Sequence, residues 1–176
     1  MNLLTSASIF SFFTLISRIL GYLRDILIAI FLGASIFAYA FFVAFRLPNT
    51  FRRLFAEGTF NAAFIPSYTA VKLKNKKTGQ KFADNVLSLL LLILIIIVTL
   101  AEIFTPYLVY LIAPGFIVDD VKFNLAIEFT RITFPFLLFV SLSSFFSGIL
   151  NSNNKFAAAA AAPIILNIVL ILSILI

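Results

Sequence analysis

The sequence contains no cysteine and no histidine. Without thiols there are no disulfides, thiolate nucleophiles or cysteine metal sites, and without imidazole the commonest zinc ligand and the usual acid/base side chain are gone. Charge is scarce too: 11% of the 176 residues are charged, with 7 acids against 13 bases and a formal net charge of +6. Acids so few and scattered leave little from which to build a metal-dependent transferase acting on phosphosugars. Neither an enzyme, a metal nor a cofactor is expected.

What fills the chain is hydrocarbon. Hydrophobic residues make up 62% of it, against about 45–50% in a soluble domain, and a bilayer-spanning helix needs about 20 mostly apolar residues. Long apolar runs predict an all-α membrane protein, a single transmembrane helical domain over residues 1–176. Its five expected spans are Leu4 to Leu32, Ile36 to Ala70, Phe82 to Ala113, Phe123 to Leu150 and Ala157 to Ile176. Met1 to Ile16 carry no Lys or Arg, so the first span does not read as a cleaved signal peptide. The closing run LNIVLILSILI has no polar exit; either the fifth helix ends at the outer surface or the sequence is truncated.

The connection VKLKNKKTGQK holds Lys72, Lys74, Lys76, Lys77 and Lys81. Short loops rich in Lys and Arg stay cytoplasmic, which puts the N-terminus inside, Lys155 inside, and Asp119 and Asp120 outside. The net positive charge is therefore topogenic and does not indicate nucleic acid. Binding of that lysine run to anionic lipid head groups is the alternative reading.

Arg18, Arg24 and Asp25, in SRILGYLRD, interrupt an otherwise uncharged first span. A charge at the centre of a span costs about 2.5–3.5 kcal/mol and an apolar residue returns about 0.3–0.6, so three charges offset roughly sixteen apolar side chains. Such residues face a protein interior or a wet cavity. At about 100° per residue, Asp25 lies within about 20° of Arg18, and Arg24 about 120° round. The second span repeats the anomaly in FRLPNTFRRLFAEGTF, with Arg46, Arg52, Arg53 and Glu57. Pro48 and Gly58 there predict a discontinuous helix, a feature of transporter sites.

Arg53 and Glu57 stand at the i,i+4 spacing of an ion pair, leaving Arg46 and Arg52 without a local carboxylate. Snorkelling to head groups suits Arg52 and Arg53 better than Arg18. Excess guanidinium favours a phosphate-bearing ligand, since the planar fork donates two parallel hydrogen bonds. Glu102, and the pair Glu128 and Arg131, read as interfacial or helix-paired charges. The serines of SLSSFFSGIL read as helix-packing residues.

The stretches SRILGYLRD, AFFVAFRLPNTFRRLFAEGTFNAAFIP, APGF and ITFPFLLFVSLSSFFSGILNSNNKF, in that order and spacing, resemble the N-terminal part of the lipid II flippase family (MurJ, also called MviN). The resemblance implies a multi-pass transporter of the bacterial inner membrane with two helical lobes, this chain supplying part of the N-terminal bundle. It also implies the substrate, lipid II, an undecaprenyl-pyrophosphate-linked disaccharide-pentapeptide, with membrane lipids as the other partners. By motif match, Arg18, Arg24 and Arg52 are expected to engage the head group. Asp25 and Glu57 fall at gate positions, alongside Arg53. One departure is Tyr39, where relatives in this family commonly carry an acid. A strictly 176-residue product would be expected to fail a flipping assay, so an inactive fragment, an assembly partner, or a flippase of another polyprenyl-linked saccharide are the alternatives.

Overall fold

The computed structural model describes residues 3–55, 59–153 and 155–175. Among these, every regular element is helical: α1 (Leu3–Leu32), α2 (Ile36–Phe55), α3 (Thr59–Lys74), α4 (Lys76–Ile103), α5 (Thr105–Ile112), a 3-10 turn (Pro114–Val118), α6 (Asp120–Thr133), α7 (Phe136–Ser152) and α8 (Phe156–Leu175). Lys76–Ile103, Asp120–Ser152 and Phe156–Leu175 are each long and apolar enough to cross a bilayer. The chain is an all-α membrane protein. At 30 residues, α1 extends about 45 Å at 1.5 Å per residue, more than the hydrocarbon thickness.

The apolar runs and the helices differ at their ends because caps and prolines set helix boundaries while hydropathy does not register them. The helix that carries the third run begins at Lys76, ahead of Phe82: the extended Asn75 caps α4, its side chain accepting from the Lys77 N–H at 2.9 Å. That run also divides before Pro106, which lies in the first turn of α5. The fourth begins at Asp120, capped by Asp119, and divides between α6 and α7 at Pro135, which has no N–H to donate. Gly33 closes α1 at φ 56°, donating its N–H to the Ala29 carbonyl at 3.1 Å. Only glycine adopts that left-handed conformation cheaply.

The chain forms two compact units, Met1–Gly33 with Phe146–Ile176, and Ala34–Phe145. In the first, α1 packs on α8. In the second, α2 packs on α6 and α3 on α4. The α2·α6 seam is built on alanine: Ala40, Ala44 and Ala126 are all 0% exposed, and small side chains let two backbones approach closely in lipid. Pro48 lies inside α2 without ending it. It cannot donate to the Ala44 carbonyl one turn back, and the Thr133 hydroxyl of α6 reaches that carbonyl at 3.4 Å while also reaching the Phe129 carbonyl at 2.8 Å. The α3·α4 pair is aromatic. Phe60, Phe64 and Tyr68 stack along α3 at 5.4 and 5.5 Å, and Phe64 meets Phe82 of α4 at 6.3 Å and Phe145 of α7 at 5.0 Å.

Ahead of α6, Asp119 accepts from the Lys122 backbone N–H at 3.2 Å and pairs with the Lys122 ammonium at 3.1 Å. Those contacts, the backbone hydrogen bond foremost, hold its carboxyl below the usual carboxylate range.

Candidate functional site

Ser17, Gly21 and Arg24 recur at the spacing of one helix stripe, and on α1 that stripe meets Asn167 of α8, which is 7% exposed. The amide is held at both ends. Arg24 Nη1 donates to Asn167 Oδ1 at 3.0 Å, and Asn167 Nδ2 donates to the Ser17 carbonyl at 3.0 Å. Gly21 lies directly beneath: a Cβ added there would stand 3.6 Å from Asn167 Nδ2. The remaining guanidinium nitrogens of Arg24 turn to its neighbour, Nε and Nη2 donating to Asp25 Oδ1 at 3.0 and 2.7 Å.

All three nitrogens of the Arg24 guanidinium thus have a protein acceptor, as a charge held against an apolar helix requires. The two sides of the guanidinium differ, however. The Arg24 side chain is 25% exposed and that of Asp25 64%, so the node is closed towards Asn167 and open towards the carboxylate. A phosphate presents oxygen acceptors of the same kind and charge sign as that carboxylate, and the guanidinium fork fits both.

The other residues singled out by sequence are distributed as follows. Arg18 is exposed and lies off the stripe that meets α8; the structure pairs Asp25 with Arg24, not with Arg18. In the second unit, Arg46 and Arg53 are exposed and Arg52 is half-buried. Arg52 and Arg53 occupy the last turn of α2, where positive charge complements the helix dipole. Glu57 lies outside the described residues, and with it the expected Arg53–Glu57 pair. Tyr39 is 51% exposed near the start of α2. Glu128 and Arg131 are both exposed and form no ion pair with each other among the described residues. Ser144 accepts from Asn61 Nδ2 at 2.9 Å, tying α7 to α3, and Ser141 is fully buried. No cluster of acids able to hold a metal occurs among the described residues.

Asn167 is the residue that sequence reasoning missed. Its signal is present in PIILNIVLILSILI, where the only amide sits inside an apolar span. A neutral amide carries a smaller solvation penalty than a charge, so it stands out less than Arg24 does.

The profile of the family described as Lipid II flippase MurJ matches residues 28–176. The "Probable lipid II flippase MurJ" of Rickettsia prowazekii (strain Madrid E) is 46% identical over 172 residues, covering 98% of this chain and 34% of that protein. The protein of the same name from Buchnera aphidicola subsp. Acyrthosiphon pisum (strain APS) is 45% identical over 172 residues, covering 97% and 34%. The "Lipid II flippase MurJ" of Burkholderia cenocepacia is 38% identical over 172 residues, covering 97% and 33%. The chain spans about a third of the length of these curated relatives. With the profile running through most of the chain and these identities along nearly all of it, the chain belongs to the lipid II flippase MurJ family.

Proposed function

We propose that the chain serves as the N-terminal part of a lipid II flippase. In this reading it is a multi-pass protein of the bacterial inner membrane with a cytoplasmic N-terminus, and its five spans form part of one lobe of a two-lobed transporter. The transporter moves an undecaprenyl-pyrophosphate-linked peptidoglycan precursor to the outer leaflet by alternating access and makes or breaks no covalent bond. The observation that carries the reading is the Arg24 fork, anchored by Asn167 on one side and engaged with an exposed carboxylate on the other.

Asp25 occupies the acceptor position when substrate is absent, which keeps the guanidinium neutralised and oriented. A pyrophosphate oxygen replaces the carboxylate without moving the Asn167 anchor, and release lets Asp25 return. Because one anion is exchanged for another, the net gain stays small enough for the lipid to leave. Arg18 and Arg52 add positive charge for the head group, while Asp25, Arg53 and Glu57 serve the gates. Tyr39 leaves its position without the acid that the family resemblance leads one to expect there. The membrane potential, inside negative, favours outward movement of an anionic head group by about 2.3 kcal/mol per charge per 100 mV.

The test is growth of cells depleted of their own flippase and supplied with a full-length transporter carrying this chain as its N-terminal part. Arg24→Ala is expected to reach the membrane and fail to restore growth. Arg24→Lys is expected to restore it partially, because a point charge replaces a two-pronged donor. Normal growth of an Arg18→Ala, Arg24→Ala double variant overturns the proposed role.

A further inference from the structure

The connection between α3 and α4 is the most densely charged surface of the chain. Lys72 and Lys74 in the last turn of α3 and Lys76, Lys77 and Lys81 in the first turns of α4 flank it, and no acid occurs between Gly58 and Ala83. Lys74, Lys76, Lys77 and Lys81 are exposed, and none of these four is in an ion pair among the described residues. Lys72 lies over the Tyr68 ring at 5.8 Å.

This connection has a fixed shape. The Asn75 N–H bonds back to the Val71 carbonyl at 3.2 Å and Gly79 N–H to the Asn75 carbonyl at 2.9 Å. Gly79 lies so close to α3 that a Cβ there would stand 2.8 Å from Lys72 Cα. Between Lys72 and Lys74, Leu73 projects with 83% exposure. Beyond Phe82, α4 becomes the apolar stretch VLSLLLLILIIIV, so the lysines lie where a spanning helix meets the head groups. An outward leucine flanked along the chain by Lys72 and Lys74 is poorly suited to water. At a bilayer surface the leucine reaches the acyl boundary while the lysines stay among phosphates. A topogenic loop requires only its charge; the glycine crossing and the projecting leucine are additional.

We infer that the α3–α4 hairpin is a docking surface for anionic phospholipid head groups, with Leu73 seated at the acyl boundary and the lysines neutralising lipid phosphates. The inference rests on the membrane-protein fold and not on which lipid is transported, so failure of the flippase reading in the growth assay leaves it standing.

The chain has no tryptophan, so Leu73→Trp supplies a single reporter. The full chain carrying Leu73→Trp is reconstituted into phosphatidylcholine bilayers with a minor fraction of phosphatidylglycerol, brominated on the acyl chains of one lipid or the other. Per mole of brominated lipid, quenching is expected to be about threefold stronger from the anionic lipid at low salt. High salt should bring that ratio towards one, as should replacing Lys74, Lys76, Lys77 and Lys81 by Gln. Should the glutamine variant not insert, the salt titration of the charged chain decides. Equal quenching by both lipids at low salt overturns head-group recognition. Quenching by neither places the tip in water and overturns docking altogether.

Discussion

The α1·α8 and α2·α6 pairs are both apolar helix pairs within one chain, yet they are held by different means. Along α2·α6 the contact is alanine against alanine with Pro48 buried in the seam, a geometry that tolerates little change because interiors are close-packed. Along α1·α8 the Arg24–Asn167–Ser17 chain of hydrogen bonds forms the polar part of the contact. Hydrogen bonds between membrane helices average only about 0.6 kcal/mol, because each partner finds alternatives readily. A steric seam therefore suits permanence and a polar node suits exchange. The arginine proposed to meet substrate belongs to the exchangeable pair.

The largest effect is expected from breaking the steric pair. Ala44→Leu drives a branched side chain into a fully buried position and should destabilise the chain by about 1–3 kcal/mol, measured by denaturant unfolding in detergent micelles followed by circular dichroism. A loss below about 0.5 kcal/mol, the size of an ordinary surface substitution, would show that the seam is looser than its burial indicates.

Asn167→Leu sharpens the contrast from the other side. It should cost about 0.6–1.7 kcal/mol, between the average and the largest values for interhelical hydrogen bonds, while reducing growth in the depletion assay far more than that loss explains. Asn167→Gln, which keeps the amide, should recover part of the activity. A stability loss exceeding that of Ala44→Leu would reverse the ranking of the two pairs.

Legibility followed the same division. Arg24 and Asp25 were legible because a charge well inside an apolar run is costly, and the penalty alone demanded a partner or a cavity. Which partner was not legible: Asn167 lies 143 positions from Arg24, and helical periodicity relates only residues on one helix. The same periodicity put Arg18 and Asp25 on one face, although Asp25 pairs with its immediate neighbour. In the second span, Pro48 and Gly58 signalled a discontinuity: α2 runs through Pro48 to Phe55, where Thr133 reaches the carbonyl that proline leaves without a donor, while Gly58 lies outside the described residues, between α2 and α3. The all-helical membrane class followed from hydropathy. The number of helices did not, since Asn75, Asp119 and Pro135 act through local hydrogen bonds that a hydropathy average cannot resolve.

Thr133→Val tests that rescue. It keeps the branched shape and removes the hydroxyl, whose single proton is shared between the carbonyls of Ala44 and Phe129. The expected loss is about 0.6 kcal/mol, smaller than that of Asn167→Leu, with hydrogen exchange rising around Pro48. Unchanged exchange would mean that the seam carries α2 through Pro48 by packing alone.

The smallest effect concerns the entry to α6. The folded state lowers the pKa of Asp119 through the Lys122 backbone N–H and the Lys122 ammonium. Its contribution is thus complete above the unfolded carboxylate value of about 4 and is lost as the pH falls through the lower folded value. Asp119→Asn should therefore unfold slightly more readily than the parent at neutral pH, and the difference should shrink as both are titrated into acid. Since the side chain is solvated, added salt should shrink the difference too by screening the ammonium pair, but only in part, because the cap to the Lys122 N–H is a hydrogen bond that the Asn amide oxygen also accepts. A difference that persists undiminished below the carboxylate range would assign the effect to capping geometry instead of charge, and would place the start of the α2·α6 pair under the same steric control as its alanine seam.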